Sequence, residues 1–125
     1  MKIHLSLTKS DFQTLENLVV ACGRAIEGDS FGEVAFRDAL TGLGVKMWSR
    51  TFELKERRNS LTLTDCEALA LWHVFGNLAD KMPPYEQGLA ARVIMHLDAA
   101  RLESLRQRNA CAPPRGGAQQ LSLNV

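Results

Sequence analysis

Leu5-Ser6-Leu7-Thr8 near the start of the chain returns as Leu61-Thr62-Leu63-Thr64 in its middle, and this repeat sets the architecture. The offset from Leu5 to Leu61 is 56 residues, and it holds without a gap as far as Ile26 and Met82. Asp11 lies over Glu67, Leu15 over Leu71, Leu18 over Val74, Val19 over Phe75 and Ile26 over Met82. In the first copy Ile3, Leu5 and Leu7 alternate with Lys2, His4 and Ser6, the period of two of a half-buried strand. A threonine follows each strand at a helix-cap position. Thr64-Asp65-Cys66-Glu67 is a full S/T-x-x-E capping box, and Thr8 with Asp11 is a weaker relative of it. Each copy therefore predicts a strand, a cap and an amphipathic helix.

The first helix spans about residues 9–26. Phe12, Leu15, Leu18, Val19, Cys22 and Ile26 fall on one face at spacings of three and four. Glu27-Gly28-Asp29-Ser30 breaks it, and Ser30 with Glu33 starts a second helix with Phe36, Leu40, Leu43, Met47 and Leu54 along one stripe. Gly42 and Gly44 interrupt that stripe. Each costs about 1 kcal/mol relative to alanine inside a helix, so a kink or two consecutive helices is expected. Val45, Trp48 and Phe52 form a second apolar edge, which predicts burial on more than one side.

Residues 57–60 read as the turn into the second strand. A third helix, about 65–82, carries Ala68, Leu71, Trp72, Phe75, Leu78 and Met82, and Pro83-Pro84 stops it. A fourth, about 85–109, carries Leu89, Val93, Ile94, Leu97 and Ala100. Residues 112–120 are linker-like, and Leu121-Ser122-Leu123-Asn124-Val125 alternates again as a candidate third strand. The fold class expected is helix-dominated α+β. It comprises a bundle of four to five helices with a ribbon of two or three short strands, arranged as two strand-helix pseudo-repeats. Residues 1–110 form the domain and 111–125 a Pro/Gly-rich tail. A lone two-stranded ribbon is marginal in water. It must lie on the helices or pair with another copy, and the latter points to a homodimer.

Composition sets bounds on function. A chain of 125 residues suits one domain, and 46% hydrophobic with 23% charged residues is ordinary for a folded one. No apolar run approaches the ~20 residues of a membrane span, and the N-terminus turns polar before a signal region forms, so a cytoplasmic location is expected. Three widely spaced cysteines, Cys22, Cys66 and Cys111, give neither a disulfide framework nor paired zinc ligands. Reduced thiols are the plain reading. The net charge is only +1, but segments 46–58 and 92–125 are basic while 1–45 and 59–91 are acidic.

Few residues point to chemistry. Cys66 lies in the first turn of a capped helix, where the helix dipole favours a thiolate, but Asp65 and Glu67 flank it with opposing charge. His4, His73 and His96 have no metal-ligand spacing. Gly42-Leu43-Gly44 is followed by Val45-Lys46-Met47, and so forms no phosphate loop; no serine-hydrolase elbow is present either. No cofactor is implied. Lys46, Arg50, Glu53 and Arg57 at i, i+4, i+7 and i+11 predict one basic helix face, with Lys55 and Arg58 beside it. Phosphates would suit it, although Glu53 is spaced to pair with Arg50 and Arg57.

Residues 2–40 loosely resemble a ribbon-helix-helix repressor. The likeness rests on the alternating Lys2-Ile3-His4-Leu5-Ser6-Leu7, a helix, then Gly28-Asp29-Ser30 opening a second helix at Glu33-Val34-Ala35-Phe36-Arg37-Asp38-Ala39-Leu40. The resemblance implies that Lys2, His4 and Ser6 face the major groove of DNA. The first helix here is longer, the Glu33-to-Arg37 spacing is one residue wider, and the second half of the chain has no counterpart in that pattern.

The leading expectation is a non-catalytic module that binds a protein partner or itself. The alternative is a nucleic-acid-binding regulator using Lys2, His4, Arg50, Arg57 and Arg58. A cysteine-dependent enzyme around Cys66 is the third.

Overall fold

The computed structural model describes residues 2–111, and of 108–111 only the backbone. Nearly all of the 111–125 tail, including the candidate strand at 121–125, lies outside the described residues. The order of elements is β1 (Ile3–Leu7), α1 (Lys9–Ala25), α2 (Phe31–Trp48), β2 (Asn59–Leu63), α3 (Asp65–Leu78) and α4 (Pro84–Cys111), with 3-10 turns at Thr51–Glu53 and Ala79–Lys81. Among the described residues the fold is four helices and one two-stranded antiparallel sheet, a helix-dominated α+β architecture.

Both strands bury every second residue, because alternate side chains leave opposite faces of a strand. Ile3, Leu5, Leu7, Leu61 and Leu63 turn toward the helices, and His4, Ser6 and Ser60 turn outward. Leu5 pairs with Leu61, Ile3 with Leu63 and Leu7 with Asn59, so the register is symmetric about the Leu5–Leu61 pair. The ribbon lies on the bundle. Side chains from α2, the turn after it and α4 also occupy its outward carbonyls. Lys46 Nζ donates to Thr62 O at 2.7 Å, Arg50 to Ser60 O, and the His96 Nε2–H to His4 O at 2.9 Å. Filled carbonyls leave less of each edge open to a further strand.

The caps form as their sequences require. Glu67 N donates to Thr64 Oγ1 at 3.2 Å, and the Glu67 carboxylate accepts from Thr64 N at 2.9 Å. Ser30 and Glu33 make the same reciprocal pair at the start of α2, and Thr8 Oγ1 accepts from Asp11 N. The Ser30 hydroxyl holds the Glu33 carboxyl below its ordinary pKa. One hydrophobic cluster draws on every helix and both strands, with Phe12, Leu15, Leu71 and Phe75 fully enclosed.

Three expectations are corrected. First, α2 runs unbroken through Gly42 and Gly44. An added Cβ at Gly44 would stand 3.5 Å from Val20 Cγ2, and one at Gly23 would stand 3.6 Å from Leu40 Cβ, ordinary van der Waals separations on the face where α1 and α2 meet. The pairing of position 23 with 40 and of 44 with 20 makes α1 and α2 an antiparallel hairpin. Second, α2 ends at Trp48. Arg50 therefore precedes a 3-10 turn, and Arg57 and Arg58 lie in the loop before β2, so no single helix face carries Lys46, Arg50, Glu53 and Arg57. Third, Val45, Trp48 and Phe52 are exposed at 64%, 66% and 95%. The core-facing stripe of α2 is already complete with Leu40, Leu43, Gly44 and Met47.

Candidate functional site

The exposed apolar edge adjoins a groove between α1 and α2 of about 510 Å³. Its floor is Val19 and Leu40, which are buried, with Gly23 and Gly44 at the points where the helices approach. Val20, Val45 and Trp48 form its walls and remain open to solvent. Polar groups stand at its rim: Glu16 and Arg24 on α1, Arg37 on α2. Arg37 is committed elsewhere. Its guanidinium donates to Ile26 O at 3.1 Å and Gly28 O at 3.2 Å, satisfying carbonyls left free where α1 ends. The groove thus offers apolar contact with one acid and one base at its edges.

On the outer face of the ribbon, Lys2 and Arg50 line one hollow of about 360 Å³ with Lys46, Ser60 and Thr62. His4 stands on the same face with its Nδ1 3.0 Å from Thr62 Oγ1. The structure therefore brings together Lys2 and Arg50 from the basic set, while Arg57 and Arg58 are exposed in the preceding loop and do not line the hollow. Two of the cations are engaged within the protein. Lys46 pairs with Glu67 at 2.8 Å, and Arg50 donates to Ser60 O and covers the Phe12 ring at 5.2 Å.

Cys66 is a free, exposed thiol at the start of α3, and Cys22 is buried, which pushes its thiol pKa up. His73 packs its ring against Phe36, with centroids 4.9 Å apart. Among the described residues no group of three or more His, Cys, Asp and Glu side chains is placed to hold a metal ion. No helix of the described residues is long and apolar enough to cross a membrane.

A polar cluster that sequence reading missed ties α4 to the start of α1. Tyr85 Oη donates to Asp11 Oδ1 at 2.5 Å, and Arg92 Nη1 donates to Asp11 Oδ2 at 3.2 Å. Burial raises the Asp11 carboxyl pKa, but the Tyr85 hydroxyl and Arg92 together outweigh it and hold the group below its ordinary value. The same hydrogen bond raises the Tyr85 hydroxyl pKa. A partner of Asp11 in the opposite half of the chain leaves no local spacing to find. Comparison of the chain with protein families, curated proteins and solved structures finds no match.

Proposed function

We propose that this protein works by binding another protein chain through the groove of the α1–α2 hairpin. The observation that carries the reading is the exposed pair Val45 and Trp48 on the wall of an apolar groove. Large apolar side chains clustered at the surface mark interaction sites, and tryptophan is enriched among residues that dominate binding energy. The test is a photo-crosslinking residue at position 45, compared with one at the exposed position 13 on α1, in cells expressing the protein. Covalent adducts from position 45 and not from position 13 support the reading. Equal labelling from both, or none, contradicts it.

The same reading treats the chain as two strand-helix-helix units about a local two-fold through Leu5 and Leu61. Its support is the symmetric register and the starts of β1 and β2, and of α1 and α3, which keep the offset between Leu5 and Leu61. A cytoplasmic location fits the free thiols. Nucleic-acid binding is the second reading, favoured by the hollow that Lys2 and Arg50 line together with Ser60 and Thr62. It ranks lower because Lys46 is paired with Glu67 and Arg50 is bonded to the ribbon.

A further inference from the structure

We infer that the occupant of the α1–α2 groove is the same face of a second copy of this chain, the two α1 helices lying antiparallel and crossing at Val20; this rests on the reading of that face as a binding surface. Glu16, Val20 and Arg24 fall at i, i+4 and i+8 and all line the groove, so they form one stripe along α1. The stripe is self-complementary. Turning a second copy end over end about Val20 brings its Arg24 onto Glu16 and its Glu16 onto Arg24, the reciprocal pairing that a two-fold interface requires. Neither Glu16 nor Arg24 has an ion-pair partner among the described residues.

The second helix extends the match. Val20 meets Gly44 and Gly23 approaches Leu40, so Trp48 lies toward the Glu16 end of the groove. The incoming Arg24 of the second copy therefore arrives at the end of the groove that holds both Glu16 and Trp48. Both attract a guanidinium. A typical stable interface takes about 800 Å² from each partner. That is more than one helix stripe supplies, and it draws in Val45 and Trp48, whose exposure is thereby accounted for. Two hairpins stacked this way form a four-helix bundle, a packing that helices adopt readily.

Sedimentation equilibrium from micromolar to near-millimolar protein tests the arrangement. The wild type is expected to move from 13.9 kDa toward twice that mass. Glu16→Arg alone places Arg against Arg24 of the second copy, and Arg24→Glu alone places Glu against Glu16. Each variant is expected to dimerise at least tenfold more weakly, with an unchanged circular-dichroism melt showing that it still folds. An equimolar mixture of the two is expected to recover the dimer mass, because both contacts of the mixed pair then join opposite charges. A wild type that stays monomeric throughout, single variants that dimerise like wild type, or a mixture that stays monomeric would overturn the inference. If the wild type is monomeric while position 45 still crosslinks to other proteins, self-association fails and the binding surface stands. If position 45 also gives no adduct, both fail.

Discussion

Asp11 and Asn59 are the buried polar side chains among the described residues, and each is answered by its surroundings. Asn59 accepts from Lys55 N at 2.7 Å and donates to Lys55 O at 2.7 Å and Leu7 O at 3.2 Å. It thereby closes the loop into β2 and ties that loop to β1. Asp11 binds Tyr85 and Arg92. Its carboxyl is held below the ordinary value of 3.8, so its contribution to stability is fully present above that pH and is lost as pH falls through the folded-state value. Asp11→Asn should lower stability at neutral pH by about 1–2 kcal/mol, the value of charged hydrogen bonds reduced for the exposure of Arg92. It should also flatten the loss of stability below pH ~4, where ordinary aspartates protonate. Urea melts of both proteins between neutral pH and that range measure this, and an acid limb of unchanged steepness in the variant would show that Asp11 titrates without a partner.

Among the elements, α2 shows what spacing can and cannot disclose. Its start was legible because a capping box is local, with Ser30 and Glu33 three residues apart. The strands and the other helix starts were legible for the same reason. Its middle holds together despite Gly42 and Gly44, because burial of Leu40, Leu43 and Met47 outweighs the propensity cost of two glycines, and spacing alone does not report that packing. The helix is continuous, and an added Cβ at Gly42 would meet no atom within 4 Å. Gly42→Ala should therefore stabilise the protein by about 0.5–1 kcal/mol through the lower backbone entropy of the unfolded chain. A thermal melt checks it: a raised midpoint supports an unbroken helix, and a lowered one supports a kink at Gly42. In sequence the apolar edge Val45, Trp48 and Phe52 resembles core, because sequence records that residues are apolar, not whether another layer covers them. That uncovered edge is the candidate site, and only the packed structure distinguishes it from interior.

Across the molecule, contacts between the two halves hold the arrangement. Lys46 of the first half pairs with Glu67 at the cap of α3, and Arg92 of the second half pairs with Asp11 at the start of α1. In each case the acid lies in the first turn of a helix, where negative charge is favoured. These ties neutralise basic groups within the protein, which bears on the nucleic-acid reading. Binding to duplex DNA should be weak and independent of sequence, and should vanish between ~50 and ~200 mM salt, since few phosphates can be neutralised. Tight binding that Arg50→Ala and Lys2→Ala both weaken would promote that reading over the protein-binding one. For the α1–α2 face as a binding surface, the two tryptophans supply a probe and a control. Trp48 lies on the groove wall, whereas the Trp72 indole donates to Asp98 at 2.9 Å between α3 and α4. A proton–nitrogen correlation spectrum recorded as protein concentration rises, with the indole signals assigned through Trp48→Phe, should show the Trp48 signal moving or broadening while that of Trp72 stays fixed. Two signals that both stay fixed to near-millimolar concentration, or movement of Trp72 alone, would contradict a self-associating α1–α2 face.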